Sequence, residues 1–84
     1  MKIESSLDWN TVHSQLRIQI SQLNYNPDLH KMLNNITNMV TVLSQLEVDA
    51  RRTQKLSYVE TKLNEINKAI DHLEKILLIA KLMN

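Results

Sequence analysis

Residues 29–50, LHKMLNNITNMVTVLSQLEVDA, decide the fold, because their apolar side chains recur at alternating spacings of three and four. This spacing places them on one side of an α-helix, in the heptad pattern of helices that pack against other helices. Leu33 and Val40 widen the apolar stripe on one side. The stretch predicts a long helix near 28–50. Its seam consists of Leu29, Met32, Ile36, Met39, Leu43, Leu46 and Ala50.

A second heptad series follows in the last third of the chain and has the same alternation of three and four. It predicts a second long helix near 56–82. The seam of this helix consists of Leu56, Val59, Leu63, Ile66, Ile70, Leu73, Leu77 and Ala80.

The two heptad series are out of register, because Ala50 and Leu56 are six residues apart where seven would continue the stripe. The slip predicts a turn within residues 51–55. Ser57 and Glu60 form a capping-box pattern, which favours a new helix start and therefore a helical hairpin. The alternative is one continuous helix over 28–82, about 82 Å long, because residues 51–55 contain no glycine, proline or asparagine.

A shorter helix near 7–24 precedes these two. Ser5 with Asp8 is a typical helix start, with Ser6 as an alternative cap. Asn26-Pro27 predicts the end of the first helix and the beginning of the second, with Asn26 as its N-cap. The apolar side of the first helix consists of Trp9, Val12, Leu16, Ile20 and Leu23.

The pattern as a whole predicts an all-α protein with a single domain over residues 1–84. We expect an antiparallel helical hairpin with a shorter N-terminal helix, forming a three-helix bundle or coiled-coil-like unit that is oligomeric. Glycine is absent and proline occurs once, which disfavours turn-rich sheets. A chain of 84 residues buries only about 60–68% of the surface that its unfolded form exposes, so a lone core would be marginal.

Composition argues against several classes of protein. Without cysteine there is neither a disulfide nor a thiolate metal site. Glu4 and Asp8 interrupt any N-terminal signal sequence, and no apolar run approaches the ~20 residues of a membrane span. We therefore expect a cytoplasmic protein without a membrane span. The net charge of +1 argues against a dedicated nucleic-acid binder.

No catalytic, metal-binding or cofactor-binding residues are predicted. His13, His30 and His72 have no further ligand at helical spacing, and the lack of glycine excludes a phosphate-binding loop and a nucleophile elbow. The expectation is a non-enzymatic protein with no cofactor.

The second helix carries no charge in the fifteen residues between Lys31 and Glu47. Short uncharged side chains are covered by a partner at little cost in desolvation, which favours a contact face. The alternative is a central helix sandwiched between the other two. The positions outside the seam are Asn34, Asn35, Thr37, Asn38, Thr41, Ser44 and Gln45.

The C-terminal end of the third helix is apolar on almost every side, whereas a surface helix normally has a polar side. We therefore predict a partner interface there that continues onto the second helix. Its residues are Leu73, Ile76, Leu77, Ile79 and Leu82, with Met39, Leu43 and Leu46.

Arg51, Arg52 and Lys55 form one basic cluster, for which phosphate contacts and a solvated turn are the two interpretations. The favoured function is a protein-interaction module, an adaptor, regulator or small escort chaperone, that binds a protein partner or itself as a homodimer or heterocomplex. The alternatives are a small dimeric nucleic-acid-binding regulator and a self-assembling structural subunit.

The general form, a helical hairpin of fewer than ninety residues with a short leading helix, resembles small bacterial and phage adaptors, among them the co-chaperones of type III secretion needle subunits. Asn26-Pro27 before a long helix is also similar to the hairpin turn of the needle subunits themselves. Neither resemblance assigns a role to a residue of this chain.

Overall fold

The computed structural model describes residues 1–23, 27–53 and 56–83, and this part of the chain is helical and contains no strand. Helix α1 spans Trp9–Ser21, α2 spans Pro27–Thr53 and α3 spans Leu56–Met83. A 3-10 turn, Ser6–Asp8, leads into α1. The predicted all-α fold with helix–helix packing is confirmed. Among the described residues, no helix is long and apolar enough to span a membrane.

The predicted start signal of the first helix is confirmed. Asp8 accepts hydrogen bonds from the backbone N–H groups of Glu4, at 2.8 Å, and Ser5, at 3.3 Å. Ser5 in turn accepts from the N–H of Leu7 at 3.3 Å, so the two side chains form a capping box. Because the capped turn is 3-10, the α-helix begins at Trp9, two residues later than predicted.

The predicted end of the second helix at residue 50 is three residues early. α2 continues through Thr53, since nothing in 51–53 breaks a helix. Ser57 lies inside the first turn of α3, which begins at Leu56, so the predicted capping box of Ser57 and Glu60 is wrong. The predicted cap Asn26, and residues 54–55 of the predicted turn, lie outside the described residues.

The chain does not form one continuous rod. The longest dimension of the molecule is 48 Å, whereas a single helix over 28–82 would be about 82 Å long. α2 and α3 pack against each other, and α1 packs against both. Gln19 near the end of α1 accepts a hydrogen bond from Lys81 near the end of α3 at 2.9 Å.

One core joins all three helices. In this core the buried side of α2, which includes Leu33 and Val40, is clustered with the buried residues in the middle of α3. The seam positions Met32, Met39 and Leu46 are only half-buried, so the stripe is rotated toward Leu33 and Val40. The buried residues that make up this core are Ile3, Trp9, Val12, Leu16, Ile20, Leu29, Leu33, Ile36, Val40, Leu43, Ile66, Ile70, Leu73 and Leu77.

The N-terminal segment before the 3-10 turn is bound to α3 by hydrogen bonds between the backbone of Ile3 and the side chain of Asn67. The Asn67 amide accepts from the N–H of Ile3 at 2.8 Å and donates to its carbonyl oxygen at 3.0 Å. Ile3 is buried in the core, and the amino group of Met1 lies 2.6 Å from the Glu74 carboxylate. Ser6 donates from its N–H to Glu47 on α2 at 2.9 Å. This segment therefore links α2 and α3.

Two neighboring leucines give a matched test of the core. Leu77 is 1% exposed and Leu78 is 59% exposed. We expect Leu77→Ala to lower the free energy of unfolding by about 2–5 kcal/mol, because it leaves a cavity. Leu78→Ala should change it by no more than about 0.5 kcal/mol. Urea denaturation followed by circular dichroism measures both, and equal losses would contradict the packing described here.

A second prediction concerns the Asn67 contact. Asn67→Ala removes both hydrogen-bond partners of Ile3 and should cost about 1–3 kcal/mol of unfolding free energy. The amide hydrogen of Ile3 should exchange faster with solvent, as seen by NMR. Asn64→Ala, on the exposed side of α3, is the control. Unchanged exchange at Ile3 would show that Asn67 does not hold the segment.

Candidate partner-binding surfaces

Three of the predicted interface residues lie in the core of the chain itself. Leu43, Leu73 and Leu77 are almost completely buried among residues of the same chain. A partner cannot contact them while this packing persists, so their assignment to a partner interface is corrected to a role in the core. The heptad pattern identified the apolar side of each helix but did not show which neighbor covers it.

The other predicted interface residues lie at the edge of the core or outside it. Met39, Leu46 and Ile76 are half-buried. Ile79 is 56% exposed and Leu82 is 79% exposed. Only these last two present most of their surface to a partner.

Two exposed neighbors complete an apolar surface at the end of α3. Leu78 and Met83 were not among the predicted interface residues, yet both are largely exposed. We call Leu78, Ile79, Leu82 and Met83 the α3 patch. These four occur as two adjacent pairs, 78–79 and 82–83, one helical turn apart, and so lie close together on the surface. Leu78 and Met83 lie outside the seam that contains Leu73 and Leu77. Their helical spacing from the seam therefore predicts that they are exposed.

The lysines beside the α3 patch have partners within the chain. Lys81 donates to Gln19 on α1, and Lys75 lies 3.3 Å from the carboxylate of Asp71 within α3. The patch itself consists of apolar side chains alone. Isolated exposed apolar residues are common, but a contiguous cluster indicates a contact site.

The uncharged side of α2 faces solvent. Of its positions outside the seam only Thr37 is half-buried, and the rest are exposed. α1 and α3 therefore do not sandwich α2 on this side. Six exposed residues share one side of α2, and we call them the α2 outer face; they are Asn34, Asn35, Asn38, Thr41, Val42 and Gln45.

The hydroxyl groups near this face are satisfied within α2. Thr41 donates to the carbonyl oxygen of Thr37 at 3.1 Å, and Thr37 donates to that of Leu33 at 3.0 Å. A partner that covers the face therefore leaves no threonine donor without an acceptor. The cost of removing this face from water is lower than its composition alone indicates.

A groove of about 400 Å³ lies between the N-terminal turn, the end of α2 and the start of α3. It is at the other end of α3 from the α3 patch. Its apolar walls include Leu7, 84% exposed, and Leu56, 63% exposed. Leu56 belongs to the predicted seam of α3 but lies beyond the closed part of the core. Leu7 was missed, because a single leucine before the first helix has no periodic pattern.

The basic cluster lies at the end of α2. Arg51 and Arg52 are exposed in the last helical turn, and Lys55 lies outside the described residues. Cations at a helix C-terminus complement the helix dipole. This local stabilisation accounts for both arginines without a phosphate ligand.

The histidines do not form a cluster. His13 is half-buried with its ring 5.6 Å from that of Trp9, and His30 and His72 are exposed. In the described part of the chain no three His, Asp or Glu residues come together in a way that could hold a metal ion.

Comparison with protein-family models, with curated proteins and with solved structures gave no significant match. The function therefore has to be inferred from the surface chemistry of the chain itself.

Proposed function

We propose that this chain is a non-enzymatic, cytoplasmic protein-interaction module, an adaptor, regulator or escort chaperone, that binds a helix of a partner protein through the α3 patch. The exposed patch carries the proposal. The core already takes up the apolar sides of all three helices, yet four adjacent large apolar side chains remain in water at one end. The chain itself covers less than half of each of these side chains, which are 56–83% exposed.

The energetics favor a packed helix as the partner. Burying a large apolar side chain completely stabilises a complex by about 1.5–3 kcal/mol. Four partly exposed side chains can therefore supply several kcal/mol before the costs of association are subtracted. Residues in adjacent turns of one helix form a ridge, which is the shape that fits into the groove of another helix.

Contacts between the helices indicate where in the bundle the α3 patch lies. Ser6 beside α1 meets Glu47 near the end of α2, and Gln19 near the end of α1 meets Lys81 near the end of α3. These two contacts support an arrangement in which α2 runs antiparallel to α1 and α3. In this arrangement the α3 patch lies at the end of the bundle remote from the groove at Leu56.

Photo-crosslinking in the organism that encodes the chain tests this proposal. A benzoyl-phenylalanine at Leu82 should crosslink to a specific protein. The same group at Asn64 should not, although Asn64 lies eighteen residues earlier, five helical turns, on the same side of α3. Ile79→Glu should abolish the crosslink and leave the unfolding free energy within about 0.5 kcal/mol of wild type. Equal crosslinking from both positions, or an Ile79→Glu variant that still crosslinks, would contradict it.

A nucleic-acid-binding regulator is the alternative, since Arg51 and Arg52 are both exposed at one helix end. Phosphate contacts make affinity fall steeply with salt, whereas apolar helix packing responds little. We expect the affinity for duplex DNA and for RNA to be weaker than about 100 µM at physiological salt. Fluorescence anisotropy over a salt series measures it. Tight, salt-sensitive binding that Arg51→Ala and Arg52→Ala abolish would favor the alternative.

A further inference from the structure

The α2 outer face is bounded by opposite charges. Lys31 precedes it and Asp49 follows it, and both are exposed. They are eighteen residues apart, which is five helical turns and about 27 Å, so they lie on the same side of α2. The whole length between them is uncharged on this side. The face therefore has a positive end, a neutral middle and a negative end.

We propose that a second copy of this chain packs on the α2 outer face, with the two α2 helices antiparallel around a two-fold axis at the level of Val40. Residues whose numbers add up to 80 then lie at the same level along the two helices, and they meet where both lie on the midline of the face. Lys31 meets Asp49 of the second copy, and the symmetry repeats this contact at the other end.

The charges select this arrangement over others. A parallel pair of α2 helices would place Lys31 on Lys31 and Asp49 on Asp49, and like charges oppose association. The antiparallel pair brings only opposite charges together, and it is the self-complementary pattern that a two-fold interface requires. Asp49 takes part in an interaction within the chain. A carboxylate has about four acceptor positions and accepts a further cation.

The neutral middle is suited to close contact. At the same register the Asn38 amides of the two copies lie beside each other near the axis, and so do the two Val42 side chains. Each amide has both donors and an acceptor, so two facing amides satisfy each other in either orientation. The exposed Val42, near the axis, supplies apolar contact from both copies.

The dimer is expected to be of moderate affinity. α2 is about 40 Å long, and a contact along one helix buries an area at the small end of specific interfaces. We expect a dissociation constant of roughly 1–100 µM. The α3 patch lies on a different helix, so this inference does not depend on the partner proposed above.

Charge reversal with the full chain tests the register, with sedimentation equilibrium as the measurement. Lys31→Glu and Asp49→Lys should each weaken the dimer about tenfold or more, because two attractive contacts become repulsive. A mixture of the two variants should associate as tightly as wild type, since every contact in the mixed dimer is again between opposite charges. Circular dichroism should show unchanged folding, because both positions are exposed.

The matched controls are Lys68→Glu and Asp71→Lys, which make the same charge changes on the exposed side of α3. They should leave the dimer unchanged. A wild-type chain that remains monomeric at about 1 mM, well above the expected dissociation constant, would overturn the inference. So would a mixture of Lys31→Glu and Asp49→Lys that fails to associate. Loss of the dimer in Leu82→Glu, with Lys31→Glu unaffected, would place the second copy on the α3 patch instead.

Discussion

The packing of α2 against α3 is the constraint on which the rest of the structure depends. α1 has thirteen residues, and isolated helices of this length are marginal in water. It is helical because Leu16 and Ile20 pack in the core that it shares with α2 and α3. The N-terminal segment depends on the same pair, since Asn67 on α3 binds Ile3 and Glu47 on α2 binds Ser6. Changes that separate α2 from α3 therefore also remove the packing partners of α1 and of the N-terminal segment.

The heptad series predicted the helices, because periodicity is a local property of a sequence. The phase slip after Ala50 predicted two helices instead of one, and α2 ends at Thr53 while α3 begins at Leu56. Neither signal could say which neighbor covers each apolar residue, which is why Leu43 and Leu77 were assigned to a partner. The contact between Ile3 and Asn67 joins residues 64 positions apart. No local pattern in the sequence indicates a contact of that kind.

The composition of the α2 outer face is not explained by the stability of the helix. Asparagine, threonine and valine are poor helix formers, each up to about 0.7 kcal/mol less favorable than alanine. Asn38, Thr41 and Val42 are exposed, so core packing does not require them either. A helix selected only for stability and solubility would carry Glu and Lys at these positions, with ion pairs one turn apart. The absence of charge on this side is consistent with a surface that is covered in the working state of the protein.

The α2 outer face and the α3 patch lie on different helices, so both can be occupied at the same time. In the proposed dimer the contact occupies α2, so both α3 patches remain accessible and are related by the two-fold axis. A partner with two binding helices would meet the second patch at an effective concentration of the order of millimolar, provided its geometry spans both sites. That effect can raise the overall affinity about 10²- to 10⁴-fold without any new contact. A small patch that binds a single helix weakly would then retain an oligomeric or repetitive partner and release a monomeric one.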